Sequence, residues 1–396
     1  MPLNEHHLAA AKLSMRTSVD RAGADRPGAA TADLSGGEPE FLAWGDGVDA
    51  SDVIQTLATL GPVELEYAAI RTGVGLVDAS QRGIVFVHGA DTVDLLDRLM
   101  TQKMKSLQAG DTAAGFLLSR KGRIQADVLC TGLEDGVLLD VDRRDVDLVI
   151  AAIDGMTFAE DVVISQGADW YTLEAHGPGV AELFAAWNIT LPDRLQSSTG
   201  AVADCEVRLT RCDTAGVPGV RVYLRRSDVV LVWEALHASD CQIRCRTVGW
   251  LAFNMARVEA RTPWWHIDFG PTSLPHETGI LADRVSFTKG CYPGQEVVAR
   301  MENLGHPKQI LRSIPMPDER LPISGGQVFQ DESGSPGDPI GMITSSAPSP
   351  MRGNTTMVLA VIKWAHATIG GTVRCVAEGD FVSAVVEPVA TSEEST

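Results

Sequence analysis

The densest group of chemically capable side chains is Lys289-Gly290-Cys291-Tyr292-Pro293-Gly294-Gln295-Glu296, running on to Arg300. Two glycines within five residues permit a tight, non-helical loop. A lysine two residues before the cysteine favours thiolate over thiol, and a loop keeps sulfur within reach of solvent. Cys291 is therefore a candidate nucleophile or sulfur ligand, the competing reading being a small buried hydrophobe. Arg300 follows Glu296 at the helical i, i+4 spacing, which suits a surface ion pair or one end of a ligand clamp. Residues 281–312 hold five basic residues (Arg284, Lys289, Arg300, Lys308, Arg312) against three acidic ones (Asp283, Glu296, Glu302). Such a cationic island suits a small polyanion, because guanidinium groups pair with carboxylates through two parallel bonds.

Upstream, Arg257-Val258-Glu259-Ala260-Arg261 precedes Pro263-Trp264-Trp265-His266. Adjacent aromatics beside a carboxylate can stack on a flat heterocycle and accept its N–H groups, or simply pack a core. Other familiar chemistries are absent. There is no Walker A loop, no G-x-G-x-x-G opening a helix after a strand, and no G-x-S-x-G elbow. His276-Glu277 begins a zincin-like string, but Ile280 stands where a second histidine would bind.

The elements that must carry these residues read as α+β. The spacing of Val53, Ile54, Leu57 and Leu60 predicts a helix, as does Glu64 to Arg71. Ile84 to Val87 reads as a strand, followed by a helix capped by Asp91 with Val93, Leu96, Leu99 and Met100 on its apolar face. Ala113–Ser119 and Ile124–Thr131 form a predicted hairpin across Arg120-Lys121-Gly122-Arg123, followed by a strand at Val137–Val141 and a helix at Asp145–Ile153. After residue 306 short strands follow one another: Val328-Phe329, Ile340–Thr344, Met357–Trp364, Thr372–Ala377 and Val382–Val386. Gly-, Pro- and Ser-rich turns separate them, the pattern of a small β-barrel or sandwich. The expected organisation is a flexible tail over 1–45, an α+β core over 46–305 and a C-terminal β-barrel over 306–390.

Composition narrows the function classes. The 396 residues carry 33 basic and 52 acidic side chains, a net charge of −19. That argues against direct nucleic-acid or anionic-membrane binding, which draws on clustered Lys and Arg. No apolar run reaches the roughly 18 residues of a spanning helix. The first residues lack the apolar stretch of a signal peptide, and the seven cysteines form no C-x-x-C pair. A cytoplasmic protein with reduced thiols and no metal centre is expected.

Lys289 to Glu296 is similar to the K-G-C-[YF]-x-G-Q-E signature of the YgfZ family of folate-binding proteins, within the superfamily of the glycine-cleavage T-protein, an aminomethyltransferase. Further pieces follow in order. Glu66 to Ser80 resembles the superfamily's opening E-x-x-A-x-R-x-x-x-G-L-x-D-x-S, and Gly122 to Leu129 its G-x-I-x-x-D-L hairpin. Arg257 to Pro263 resembles R-x-E-x-G-x-P, with Arg261 where glycine is usual, and Gly341 to Ser345 resembles G-x-V-T-S. The likeness spans about residues 50–388. It implies a GcvT-like, pseudo-threefold α+β fold with a C-terminal β-barrel around a site for tetrahydrofolate or a one-carbon derivative. It implies folate contacts from Glu259, Arg300, Tyr292, Gln295 and Glu296, and chemistry from Cys291, Lys289 and Asp127. T-proteins carry an aspartate pair at this hairpin, one member catalytic. Here Ala126 fills one of the two places, and that departure together with Cys291 favours the YgfZ branch. The function so implied is folate-dependent support of iron–sulfur enzymes, including tRNA-modifying ones, with those enzymes as partners. The alternatives are a glycine-cleavage-type aminomethyltransferase and a non-catalytic folate sensor or scaffold.

Overall fold

The computed structural model describes residues 39–45, 54–238 and 244–390. Two compact units divide the chain. The first is drawn from Met1–Ile84, Gly167–Asp213 and Val217–Phe253, the second from Val85–Gln166, Thr214–Gly216 and Asn254–Thr396. Among the described residues no helix is long and apolar enough to cross a membrane.

The first unit is built on a six-stranded sheet in the order Ser197–Val202, Cys205–Arg211, Gly219–Arg225, Trp170–His176, Val74–Asp78, Cys245–Val248. All its pairings are antiparallel except the last, where Cys245–Val248 runs parallel to Val74–Asp78. Helices Val180–Ala185 and Val229–His237 place Val180, Leu183, Phe184, Val232, Trp233 and Leu236 against the sheet's inward residues. The predicted helix at Glu64 to Arg71 is present as Val63–Thr72.

Two expectations change here. Residues Ile54–Thr59 form a strand rather than a helix, and their antiparallel partner is Glu40–Trp44, a stretch assigned to the tail. Local apolar spacing missed this because a strand's stability comes from its cross-strand partner. Val53 and residues 1–38 lie outside the described residues.

Glu66, which opens the first sequence motif, is wholly buried in this unit. Its Oε1 accepts the N–H groups of Leu60 (2.7 Å) and Gly61 (3.1 Å) and the Thr59 hydroxyl (2.9 Å). Its Oε2 accepts the N–H of Gly249 at 2.8 Å. One carboxylate thus satisfies backbone donors of two separate connections, a structural role for a charged residue.

The second unit holds a five-stranded sheet ordered Thr112–Leu118, Ile124–Leu133, Gly136–Asp142, Arg82–His88, Val163–Gln166. The predicted hairpin and the strands flanking it are therefore present. Helices Thr92–Leu99 and Val146–Asp154 cover one face, packing Leu95, Leu96, Leu99, Val149 and Ile153 on Leu117, Ala126 and Leu139. Asp91 precedes the first of these helices but does not cap it. Its backbone is not in the extended conformation a cap requires, and its carboxylate accepts the N–H of Asp161 at 2.8 Å instead.

The C-terminal segment is a six-stranded antiparallel sheet ordered Gln309–Pro315, Thr355–Lys363, Ser335–Ser349, Gln327–Glu332, Thr372–Ala377, Asp380–Val385. The expected barrel is not formed as a closed ladder. The edge strands Gln309–Pro315 and Asp380–Val385 share no ladder, and an isolated bridge joins Ser313 to Glu387 beyond the end of the last strand. A barrel needs continuous pairing around its circumference. Gln309–Pro315 escaped the sequence reading because Arg312 and Ser313 interrupt its apolar run.

Replacing Glu66 by Ala strands the buried Gly249 N–H and removes the acceptor of the half-buried Leu60 N–H, whereas the Gly61 N–H keeps the Thr59 hydroxyl at 3.3 Å. Glu66→Ala is therefore expected to lower stability by about 1–3 kcal/mol, read as a lower urea midpoint, with Glu66→Gln intermediate.

Candidate active site

The loop before Cys291 is fixed by backbone contacts within the second unit. Thr101 donates its hydroxyl to the Arg284 carbonyl at 2.6 Å and accepts the Ser286 N–H on its own carbonyl at 3.0 Å. Lys289 then runs inward, its side chain fully buried. Its Nζ donates to the carbonyls of Asp97 (2.5 Å), Met100 (2.7 Å) and Gln102 (3.0 Å), with the Asp97 carboxylate at 3.5 Å. An ammonium has three N–H donors, and all three are taken. The carbonyls sit at the C-terminal end of helix Thr92–Leu99, where a cation is favoured by the helix dipole. Burial pushes the Lys289 pKa down, and Asp97 resists that shift. The expected pairing of this lysine with the Cys291 sulfur is thus corrected: the ammonium is committed to carbonyl oxygens.

Cys291 itself is exposed. It lines a cleft of about 500 Å³ with Asp91, Asp94, Asp97, Arg98 and Glu160. The cleft's charges are largely internally matched: Arg98 contacts Glu160 at 2.5 Å, Lys105 lies 3.8 Å from Asp94, and Asp97 accepts the Met104 N–H at 2.8 Å. Tyr292, expected at the folate, is buried among Phe116, Ile124 and Val298, and burial raises its hydroxyl pKa to about 12. It anchors the loop. Gly294 then turns the chain at φ +80° into helix Gln295–Leu304. A Cβ there would lie 2.6 Å from the Ser119 carbonyl oxygen and 2.9 Å from the Gly122 Cα. The two motif glycines touch because neither has a side chain, which seats the loop on the hairpin. On the helix, Gln295 is half-buried, whereas Glu296 and Arg300 are exposed and do not form the anticipated ion pair. The cationic island is also dispersed. Arg284 pairs with Asp127, Lys289 binds carbonyls, and Arg312 donates to the Ala367 carbonyl at 3.0 Å. Arg300 and Lys308 remain exposed.

Asp127 occupies the sheet face opposite the helices. It pairs across the hairpin with Phe116, and alternation places Leu129 and its partner Asp140, then Asp142, on the same face. Arg284, at the end of the short helix Leu281–Arg284, donates Nε–H to Asp127 Oδ1 at 2.8 Å, with Nη2 at 3.5 Å from Oδ2. The carboxylate is 20% exposed, so it is oriented yet open to solvent. Nearby in sequence, Arg144 forks onto Asp142 through Nε and Nη2, both at 2.8 Å. Asp145 accepts the indole N–H of Trp265 at 2.6 Å and faces His266 Nε2 at 3.1 Å. Asp140, Asp142 and Asp145 were not singled out from sequence: the partners of Asp145 lie 120 and 121 residues away, and single aspartates in a strand carry no local signature. Alternation along Gly136–Asp142 is the one signal that groups the first two with Asp127.

Glu259 has a different environment from the expected pterin contact. It is buried, and its Oε1 accepts the Ser349 hydroxyl at 2.5 Å and the Met351 N–H at 3.2 Å. Arg257 is equally internal, donating to Asp268 at 2.7 Å and to the Ser345 hydroxyl at 2.9 Å. Trp264 and Trp265 are buried and offer no stacking surface. Together these residues lock the segment onto strand Ser335–Ser349. Arg261 adopts φ +60°, which explains why glycine suits that position.

Comparison with known proteins shows the family and the fold. The model of the GCVT N-terminal domain matches residues 55–289. An aminomethyltransferase of Pseudothermotoga lettingae is 27% identical over 289 residues, covering 72% of this chain and 78% of that protein. One from Geobacillus kaustophilus is 24% identical over 332 residues, covering 83% and 89%. Among solved structures, the glycine cleavage system aminomethyltransferase T from Bartonella henselae superposes with a TM-score of 0.77 at 20% identity, covering 88% of this chain and 93% of that one. That last likeness is one of fold.

Lys289→Met leaves three inward-facing carbonyls without donors and is expected to cost about 2–4 kcal/mol. Lys289→Arg keeps the charge but puts a planar fork into a cage shaped for an ammonium, so it is also expected to lose stability. A Lys289→Arg protein as stable as wild type in urea would show that charge alone matters there.

Proposed function

Because the chain belongs to the GCVT N-terminal domain family, we propose that it is a folate-dependent aminomethyl-transfer protein of the GcvT-like type. The observation that carries this reading is the Asp127–Arg284 pair, a solvent-reachable carboxylate held in one orientation on the hairpin inside the matched region. The curated relatives named aminomethyltransferase, which align over most of the chain, support the same reaction class.

Tetrahydrofolate is a substrate in this reaction, since it leaves carrying the one-carbon unit. The donor is an aminomethyl group on a carrier sulfur. The acceptor's nitrogens bond to the methylene carbon, the carbon–sulfur bond breaks to regenerate the thiol, and ammonia departs with no change of oxidation state. Asp127 suits the acceptor amine. Arg284 engages Oδ1 closely and Oδ2 only at 3.5 Å, leaving Oδ2 to accept an N–H and to stabilise positive charge developing on nitrogen. Exposed Arg300 is matched to the anionic glutamate tail. Glu259 is already engaged by Ser349 and Met351, so the pterin contact assigned to it by resemblance has no support in its geometry.

The exposure of Cys291 on its cleft favours a second reading. In the YgfZ-like role the thiol would act in maintaining iron–sulfur enzymes, with folate bound nearby. A strain lacking the native protein separates the two. Complementation by Cys291→Ser that fully restores iron–sulfur enzyme activities removes the second reading.

For the first reading, ammonia and methylene-tetrahydrofolate are measured from a loaded aminomethyl carrier. Wild type is expected to turn over, and Asp127→Asn to lower kcat by about a hundredfold or more. Tetrahydrofolate binding without product would instead mark a sensor or scaffold.

A further inference from the structure

Asp127 can orient an amine, but the transfer also moves a proton from the acceptor nitrogen to the departing sulfur. A second titratable constellation in the same unit is built for that task. Asp145 precedes helix Val146–Asp154 and makes no capping bond to it. Its carboxylate is turned to Trp265 Nε1 at 2.6 Å and to His266 Nε2, which lies 3.1 Å from both carboxylate oxygens. The Asp145 side chain is 8% exposed and that of His266 17%. With the carboxylate accepting, Nε2 carries a hydrogen, and in the neutral tautomer of that kind Nδ1 presents a lone pair. An imidazole oriented by a buried carboxylate, with its other nitrogen available, is the base-plus-orienter arrangement of acyl-transfer enzymes.

The backbone adds an independent mark. His266 has φ +66°, a left-handed conformation uncommon for a residue with a side chain. Such strain persists where the surroundings over-determine it, and it clusters at functional positions. The dyad and Asp127 also share a support. Phe116, the cross-strand partner of Asp127, meets Phe269 at 6.0 Å, and Phe269 meets Trp265 at 5.4 Å. One aromatic cluster therefore backs both carboxylates.

We propose that His266, oriented by Asp145, carries the proton of the aminomethyl transfer; this rests on the folate-dependent reading above. As the acceptor nitrogen bonds to the methylene carbon, its proton passes to His266 Nδ1. The carbon–sulfur bond breaks with its electron pair on sulfur, and His266 returns the proton there. The imidazole ends as it began, and no oxidant or reductant is required.

His266→Gly is the sharpest test, because glycine accepts the φ of this position without strain. The variant is expected to keep its thermal midpoint and its KM for tetrahydrofolate within about threefold, to lose at least about a hundredfold in kcat, and to recover turnover when free imidazole is added. Asp145→Asn is expected to lower kcat while leaving that KM unchanged. Should His266→Gly fail to fold, His266→Asn, which tolerates left-handed backbone, is held to the same loss of kcat at unchanged KM. Two results overturn the proposal with the folate-dependent reading intact: kcat in the variant within about threefold of wild type, or a loss that imidazole does not restore. Wild-type protein that releases neither ammonia nor methylene-tetrahydrofolate removes that reading, and this inference with it.

Discussion

A single buried ammonium organises the candidate site. Lys289 enters a cage of three main-chain carbonyls at the end of helix Thr92–Leu99. Desolvating a cation is costly, so such a group is retained only when every donor is matched. Once it is matched, the chain on either side has little freedom. Five residues earlier, Arg284 comes against Asp127; three residues later, Tyr292 enters the aromatic cluster; between them Cys291 is left on the surface. The glycine contact between Gly294 and Gly122 closes the same loop onto the hairpin from the other side.

This division of labour runs through every recognisable piece of the chain. Glu66, Arg257 and Glu259 are charged residues in motifs, and each is spent on internal hydrogen bonds. A buried charge fully satisfied by backbone and hydroxyl partners specifies one packing arrangement, because any shift leaves a donor or acceptor bare. The residues to which the proposed readings assign chemistry are fewer and less prominent in sequence: Asp127, whose partner Arg284 orients it without enclosing it, the Asp145–His266 pair, and the exposed thiol of Cys291. Polar groups that are positioned on one side and open on the other are the ones able to act on a ligand.

The comparisons show the family and the fold, and the geometry diverges in detail from what the signature loop suggests. Aminomethyltransferases align across most of the chain, and the fold of one superposes closely. The loop directs attention to Cys291, yet its lysine is occupied elsewhere and its tyrosine is internal. The proposed reading moves the chemistry from the loop to the sheet face it rests on, where Asp127 shares one face with the buried Asp140 and Asp142.

Much was legible from residue order alone. The alternation of strands and helices from Ile84 to Ile153, the hairpin around Gly122 and the strand-rich C-terminal segment all follow from apolar periodicity and turn chemistry, which act over a few residues. The octapeptide at 289–296 likewise pointed to a tight loop, while leaving open whether its thiol is accessible or buried; the structure exposes it. Tertiary structure alone decided the rest: that Ile54–Thr59 pairs with Glu40–Trp44 as a strand, that the last six strands form an open sheet, that Lys289 serves carbonyls rather than sulfur, and that Asp145 meets His266 across 121 positions of chain. The physical reason is common to all four. Each depends on which distant group satisfies a backbone ladder or a buried charge, and that partner is chosen by three-dimensional packing, to which local spacing is blind.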